Sequence, residues 1–396
     1  MAQFGDFTVD RNSAKYVLGS GGDIISYATD EPAFEFNADG SYKGLLVEPA
    51  ATNICLQSED ISTSWNPITA TITTNDTTAP DGNATADKLN DDGGGGTATG
   101  VSVVQENISV SANTKYTASV FLKADQLSFA SVEAQNYDGG TDGRQFFGLS
   151  GAGSLGTASN LNDSSITAYP NGWYRCTITW TQGAADTSVD IRIYVANSIS
   201  DRTVDRDGTS SIFVWGAQVE TGPIATSYIP TTTASVTRVK DQIALESASS
   251  LIGQTEGTIY IEVDWRLATG TTQNLLNLND GTGSNRFFIQ KTTANFLIMF
   301  AQANSVVLTS QGVDSSGFSG IQKIAFAYAD SDFELYRNGS SISSDTSGSL
   351  AALATLTDID LGQNRDASAQ ANMHIRAFAL YPKRLSDAEA QALTTL

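Results

Sequence analysis

The chain has 396 residues, more than one hydrophobic core usually organises, since single cores stop growing at roughly 250–300 residues. Apolar residues make up 40% and charged residues only 16%, with 35 glycines between short apolar runs, the profile of a turn-rich all-β protein and not of a disordered one. The net charge of −21, from 43 acidic against 22 basic residues, repels nucleic-acid backbones and anionic membranes and argues against both as partners.

The opening stretch MAQFGDFTVDR carries no apolar h-region, and no run of about 18 apolar residues follows, so a soluble chain made in a cytoplasm is expected. Residues 1–50 look like an extended arm with one or two short strands, ending in the run Gly44 to Pro49, where the proline stops any ladder.

From 51 to 235, short alternating runs recur between Gly-rich or Asn/Asp-rich turns, the spacing of a sandwich. The clearest are 116–123, 129–135, 174–180, 190–195 and 212–219. Period two puts Tyr174, Cys176, Ile178 and Trp180 on one face, and likewise Ile191, Ile193 and Val195, so these faces are the expected core. Arg175, Arg192 and Tyr194 fall on the opposite faces. Cys55 and Cys176 lack CxxC spacing and read as buried thiols of one core, with a disulfide as the alternative.

The proline-containing segment Pro230 to Arg238 reads as a linker, and a second set of strands begins at Thr258. Ile259, Ile261, Val263 and Trp265 alternate with Tyr260, Glu262 and Asp264; further strands are expected at 286–290, 296–300, 322–328, 333–337 and 375–381. Asn338-Gly339 signals a tight hairpin, and Ser386-Asp387-Ala388-Glu389 is a capping box that opens one short C-terminal helix. The expected organisation is therefore an arm over 1–50 and two tandem antiparallel β-sandwiches over 51–235 and 245–396.

Two stretches resemble known families. GLLVEPAATNICLQSEDISTSW, APDGNATADKL, YTASVFLKA, NGWYRCTITW and IFVWGAQVETGPIATSYIPTTTASVTR, in that order over residues 44–238, resemble a jelly-roll domain of phage tail, fibre and capsid-associated proteins that is similar to carbohydrate-binding modules. GTIYIEVDWR, FELYRNGSSI and AFALYPKRLSDAEAQAL, over 245–396, resemble the laminin-G-like, concanavalin-A-type sandwich. The resemblance implies a bacteriophage virion protein, a fibre, spike or head decoration, assembled in the host cytoplasm. It would be a homo-oligomer, most simply a trimer, docked on other virion proteins through residues 1–50, and would adhere to host surface glycans. It also implies that Trp173 is structural and that one calcium would sit between first and last jelly-roll strands, with Glu59, Asp60 and Glu220 as candidates; no other cofactor is expected.

Catalytic signals are poor. The sole histidine, His374, excludes the common Ser-His-Asp, Cys-His and multi-histidine metal sites and reads as structural. The glycines at 93–96 follow Asp91-Asp92, precede no lysine and form a turn, not a phosphate loop. Glu262-Val263-Asp264 matches part of the Glu-x-Asp-x-x-Glu strand of some sandwich glycosidases, but Leu267 stands where the second glutamate belongs, and retaining hydrolysis needs two carboxyl groups about 5–5.5 Å apart. A non-enzyme is expected, with a phage-borne glycan depolymerase, a secreted lectin and a purely structural component as alternatives. Sugar binding needs an aromatic face flanked by planar polar groups, which the outer faces of the first sandwich offer in Tyr194, Arg192, Arg175, Glu133 and Gln135; a solvated face or a subunit interface is the competing reading.

Overall fold

The computed structural model describes residues 4–265 and 271–396; Leu267 lies outside them. It is an all-β protein with one α-helix, Asp387–Thr394, among the described residues. Its capping box is made as the sequence indicates: Ser386 Oγ accepts from Glu389 N while Glu389 reaches back to Ser386 N at 2.8 Å.

The first sandwich stacks two six-stranded sheets. One runs in the order Ser154–Ser159, Thr141–Gly148, Phe129–Asp138, Ser188–Ala196, Ser102–Ser109, Asn66–Ile68. The other runs Asp163–Ala168, Trp173–Thr181, Lys115–Ala124, Ser211–Thr221, Ala86–Asp91, Ala70–Thr77. Between them lies a core that contains Ile191, Ile193 and Val195 from one sheet and Tyr174, Cys176, Ile178 and Trp180 from the other, the faces that period two selects. Each such aliphatic side chain contributes about 1.5–3 kcal/mol by leaving water. Cys55 and Cys176 are both in this core as free thiols, and burial pushes both above the usual thiol range.

The second sandwich has a separate core between two seven-stranded sheets. One sheet runs Thr8–Asp10, Gln242–Leu245, Asp358–Leu361, Gln273–Asn279, Arg286–Lys291, Phe296–Ala303, Val306–Asp314. The other runs Ser340–Asp345, Asp332–Arg337, Gly320–Ala329, Gly257–Trp265, Met373–Tyr381, Tyr42–Val47, Phe34–Phe36. Asn338 (φ 45°) and Gly339 (φ 82°) form the two-residue turn that lets Arg337 pair with Ser340.

Both sheets of the second sandwich thus contain strands from residues 1–50, which corrects the expectation of an extended arm. Val9 pairs with Ile243, and Leu45 pairs with both Phe34 and Ile375. The segment has too little apolar surface to fold alone, and the neighbour that orders it is its own C-terminal half: Phe7, Val9, Leu45 and Val47 join that core. Gly44 (φ 145°) permits the approach, since a Cβ there would stand 2.8 Å from His374 Cβ. The strand ends at Val47, two residues before Pro49.

Residues 51–235 are accordingly inserted between two parts of one sandwich. The chain enters through Ala51–Asn53 and leaves through Val236–Arg238, and these segments pair antiparallel, so the expected linker is partly a strand. An almost fully buried ionic network locks the crossing. Asp241 accepts from Arg11 Nη1 (2.9 Å), Lys15 Nζ (2.6 Å) and Glu48 N (2.8 Å), while Glu48 Oε2 lies 3.2 Å from Lys15 and 3.5 Å from Arg238. No described helix is long and apolar enough to cross a membrane.

Candidate functional site

Four of the five sugar-binding candidates meet on one face, and there Glu133, Arg192 and Tyr194 bind each other. The Phe129–Asp138 and Ser188–Ala196 strands are neighbours, with Glu133 opposite Arg192, Ser131 opposite Tyr194 and Gln135 opposite Asp190. Glu133 Oε1 accepts the Tyr194 hydroxyl at 2.8 Å, and its Oε2 accepts Arg144 and Arg202, each at 3.1 Å. Arg192 donates to the Tyr194 hydroxyl at 3.1 Å. The Arg202 guanidinium lies 3.9 Å from the centroid of the Tyr194 ring and covers the face a sugar would stack on. Tyr194 is only 3% exposed. The expected platform is therefore closed; period two placed these residues off the core, but it could not show that Arg144 and Arg202, from a neighbouring strand and a loop, would cover them.

Arg175, the fifth candidate, belongs to the other sheet. Its outer face is laid out in rows across three strands: Thr167, Arg175 and Phe121; Ser165, Thr177 and Ser119; Asp163, Thr179 and Thr117. Part of this face is covered by a small aromatic cluster in which Trp173, Trp215, Phe121 and Tyr228 pack with Ile24 of the N-terminal segment. Trp173 is buried in this cluster, with Nε1 donating to Thr78 O at 3.1 Å.

Where the cluster stops, a crevice of about 200 Å³ opens between the hydroxyl-rich rows, the hairpin of Lys15–Leu18 with Ile24–Tyr27, and residues 223–228. Tyr16 and Tyr169 stand half-buried at its walls, and Lys43 and Glu35 of the second sandwich reach its rim. Arg175 is 8% exposed. Its guanidinium lies 5.5 Å from the Phe121 ring centroid and donates through Nη2 to Ser119 Oγ at 3.0 Å, while its buried Nε has no partner. The crevice thus has in its lining what the other face lacks: a guanidinium close to an aromatic ring and not covered by a second arginine, with many hydroxyls around it. The N-terminal walls escaped the sequence reading because nothing local says that residues 15–27 fold onto residues 163–179.

The calcium candidates do not converge. Glu220 is 1% exposed, with Oε1 accepting from Thr226 N at 2.5 Å and Oε2 from Thr226 Oγ1 at 3.0 Å; burial pushes its carboxyl up. Glu59 accepts the Tyr228 hydroxyl at 3.0 Å, and burial raises it too. Asp60 takes Ser62 N at 2.9 Å in its own turn. Among the described residues no group of three or more His, Cys, Asp or Glu side chains is placed to hold a metal ion.

The glycosidase-like strand is also committed elsewhere. Glu262 Oε1 accepts Arg376 Nε at 2.8 Å and its Oε2 accepts the Tyr260 hydroxyl at 3.2 Å, while Asp264 pairs in register with His374. His374 is fully buried against Glu35. The turn at 93–96 is pinned, with Gly93 N on Asp91 (2.8 Å) and Arg206 Nη2 on Asp92 (2.6 Å).

No family model matches the chain, and no curated protein matches it. Among solved structures, the CBM40 of Ruminococcus gnavus IT-sialidase bound to alpha2,3 sialyllactose aligns at 19% identity over 38% of this chain and 86% of its own, with a TM-score of 0.32. A botulinum neurotoxin serotype D/C binding domain aligns at 14% identity over 39% of this chain and 40% of its own (TM-score 0.33). The NanB sialidase from Streptococcus pneumoniae aligns at 17% identity over 37% and 26% (TM-score 0.32). Likenesses this low carry no functional weight.

Proposed function

We propose that the protein binds glycans and does not cleave them, and that a sugar unit sits in the crevice over Arg175. The observation that carries this reading is the Arg175 guanidinium, 5.5 Å from the Phe121 ring centroid and in the lining of a hydroxyl-rich opening. A pyranose offers vicinal hydroxyls that a guanidinium edge binds in pairs and an apolar face that suits the walls formed by Tyr16 and Tyr169. The opening is below the roughly 300–1,000 Å³ of sites for drug-sized ligands, so it suits one sugar unit of a longer chain. Affinity per site is then modest, and several copies on one particle would raise avidity by about 10²–10⁴.

The test is an array of bacterial and animal oligosaccharides probed with the wild-type chain and with Arg175→Ala. Binding lost in the variant supports the reading; binding that survives unchanged sinks it. Catalysis is tested on the same ligands by assaying new reducing ends, with Glu262→Gln and Asp264→Asn as controls: release by the wild type that both variants lose would make the protein a hydrolase. The virion setting and a trimeric appendage rest on the sequence resemblance of residues 44–238 and 245–396. Mass spectrometry of purified particles and light scattering of the isolated chain test them.

A further inference from the structure

We infer that Lys15 and Asp241 join covalently after folding, in an intramolecular isopeptide bond that the chain forms by itself with Glu48 as proton relay. This does not rest on the Arg175 reading. The Lys15 amine stands 2.6 Å from Asp241 Oδ2 and 3.2 Å from Glu48 Oε2, and the three side chains are at most 1% exposed. Backbone structure places all three. Lys15 pairs with Tyr27 in its hairpin, Glu48 follows the strand Tyr42–Val47, and Asp241 precedes the strand Gln242–Leu245, with Asp241 N donating to Glu48 O at 3.1 Å. A primary amine, a carboxyl carbon and a second carboxylate are thus held together out of water. Such fixed proximity replaces the encounter that a free amine and a free acid would need.

The groups around the pair suit the same step. Lysine amines become nucleophiles where they are desolvated beside other cations; Lys15 is fully buried and shares Glu48 Oε2 with Arg238, which lies 3.5 Å from it. As Nζ adds to Cγ of Asp241, negative charge grows on the carboxyl oxygens, where Arg11 Nη1 already donates to Oδ1 at 2.9 Å and the Glu48 amide to Oδ2 at 2.8 Å. The bond formed is Nζ–Cγ, and the bond broken is Cγ–Oδ2. Two protons pass from the ammonium through Glu48 Oε2 to Oδ2, which leaves as water, and Glu48 ends as the carboxylate it began as. Charge balances, since one ammonium and one carboxylate become one neutral amide and one water, with no oxidant or co-reactant. The product also relieves the interior of two desolvated ions, a gain that an exposed pair would lack. The bond ties residues 226 positions apart. It closes the N-terminal hairpin onto the chain beyond the inserted sandwich, so that the first strands cannot peel away.

The experiment is intact-mass spectrometry of the purified full chain, denatured after incubation at neutral pH, followed by peptide mapping. The wild type should be lighter than its sequence by the mass of one water, and digestion should release one branched peptide that joins Lys15 to Asp241. Glu48→Gln, which keeps the side-chain shape, should slow the bond at least tenfold in protein shown by circular dichroism to be folded. The wild-type result decides without any variant: a full sequence mass would overturn the inference. So would a water lost elsewhere, as in a succinimide at Asp280-Gly281, with Lys15 and Asp241 recovered in separate peptides. An undiminished rate in folded Glu48→Gln would overturn the relay.

Discussion

Arg202 lies over Tyr194, its guanidinium carbon 3.9 Å from the ring centroid, and donates at 3.1 Å to the same Glu133 that accepts the Tyr194 hydroxyl. Glu133 is 2% exposed while Arg144 and Arg202 keep 30% and 21% of their side-chain surface in water, so a buried carboxylate is held by partly hydrated guanidinium groups. Replacing Glu133 by Ala leaves the buried Tyr194 O–H without its acceptor and should lower stability by about 1.5–3 kcal/mol. Denaturant unfolding of Glu133→Ala measures this, and glycan binding should be unchanged. Weakened sugar binding in a folded Tyr194→Phe variant would show that the cluster opens to ligand after all.

The junction network makes a second prediction. Asp241 is 1% exposed and serves Arg11, Lys15 and the Glu48 amide, so Asp241→Ala should cost about 3–5 kcal/mol, the usual penalty for leaving buried charges without their partner. The loss should appear in the unfolding of the second sandwich. Deleting residues 1–43 removes Phe7 and Val9 from its core and two of its edge strands. That truncation should therefore fail to fold as a whole; a soluble, fully cooperative truncated chain would contradict the intertwined architecture.

Burial pushes the Asp360 carboxyl up to about 6, with Asn279 holding Oδ2 at 2.8 Å. An unfolded aspartate titrates near 3.9. The folded state therefore holds this proton more tightly, and the stabilisation it brings, complete below about pH 4, is lost as pH rises through about 6. Asp360→Asn mimics the protonated form and should gain on the wild type across that window by on the order of 2–3 kcal/mol, then keep a constant lead. Thermal melts of both proteins from pH 4 to 7.5 provide the comparison; parallel curves would refute the assignment.

Much of the fold is legible in the sequence because it is written in local periodicity. The alternation at 174–180, 190–195 and 259–265, the Asn338-Gly339 turn and the Ser386/Glu389 cap each depend on neighbours within a few residues, and each appears as read. Pairings across the chain have no such signature. Nothing local tells that Val9 will lie beside Ile243 or Leu45 beside Ile375, so the N-terminal strands read as a loose arm. The site suffered in the same way: Arg175 could be chosen as an outward planar group, but the walls that make it a crevice come from residues 16–24 and 223–228. Tyr194 illustrates the converse, since an outward position on a strand does not ensure that its face stays open.

In the proposed function, Arg175 holds the sugar. The deciding measurement is a titration of the full chain with its best array ligand, comparing the wild type with Arg175→Lys, which keeps the charge but loses the planar guanidinium edge near Phe121. Arg175→Lys should raise Kd at least tenfold with an unchanged melting temperature. Equal affinity in the two proteins would contradict it.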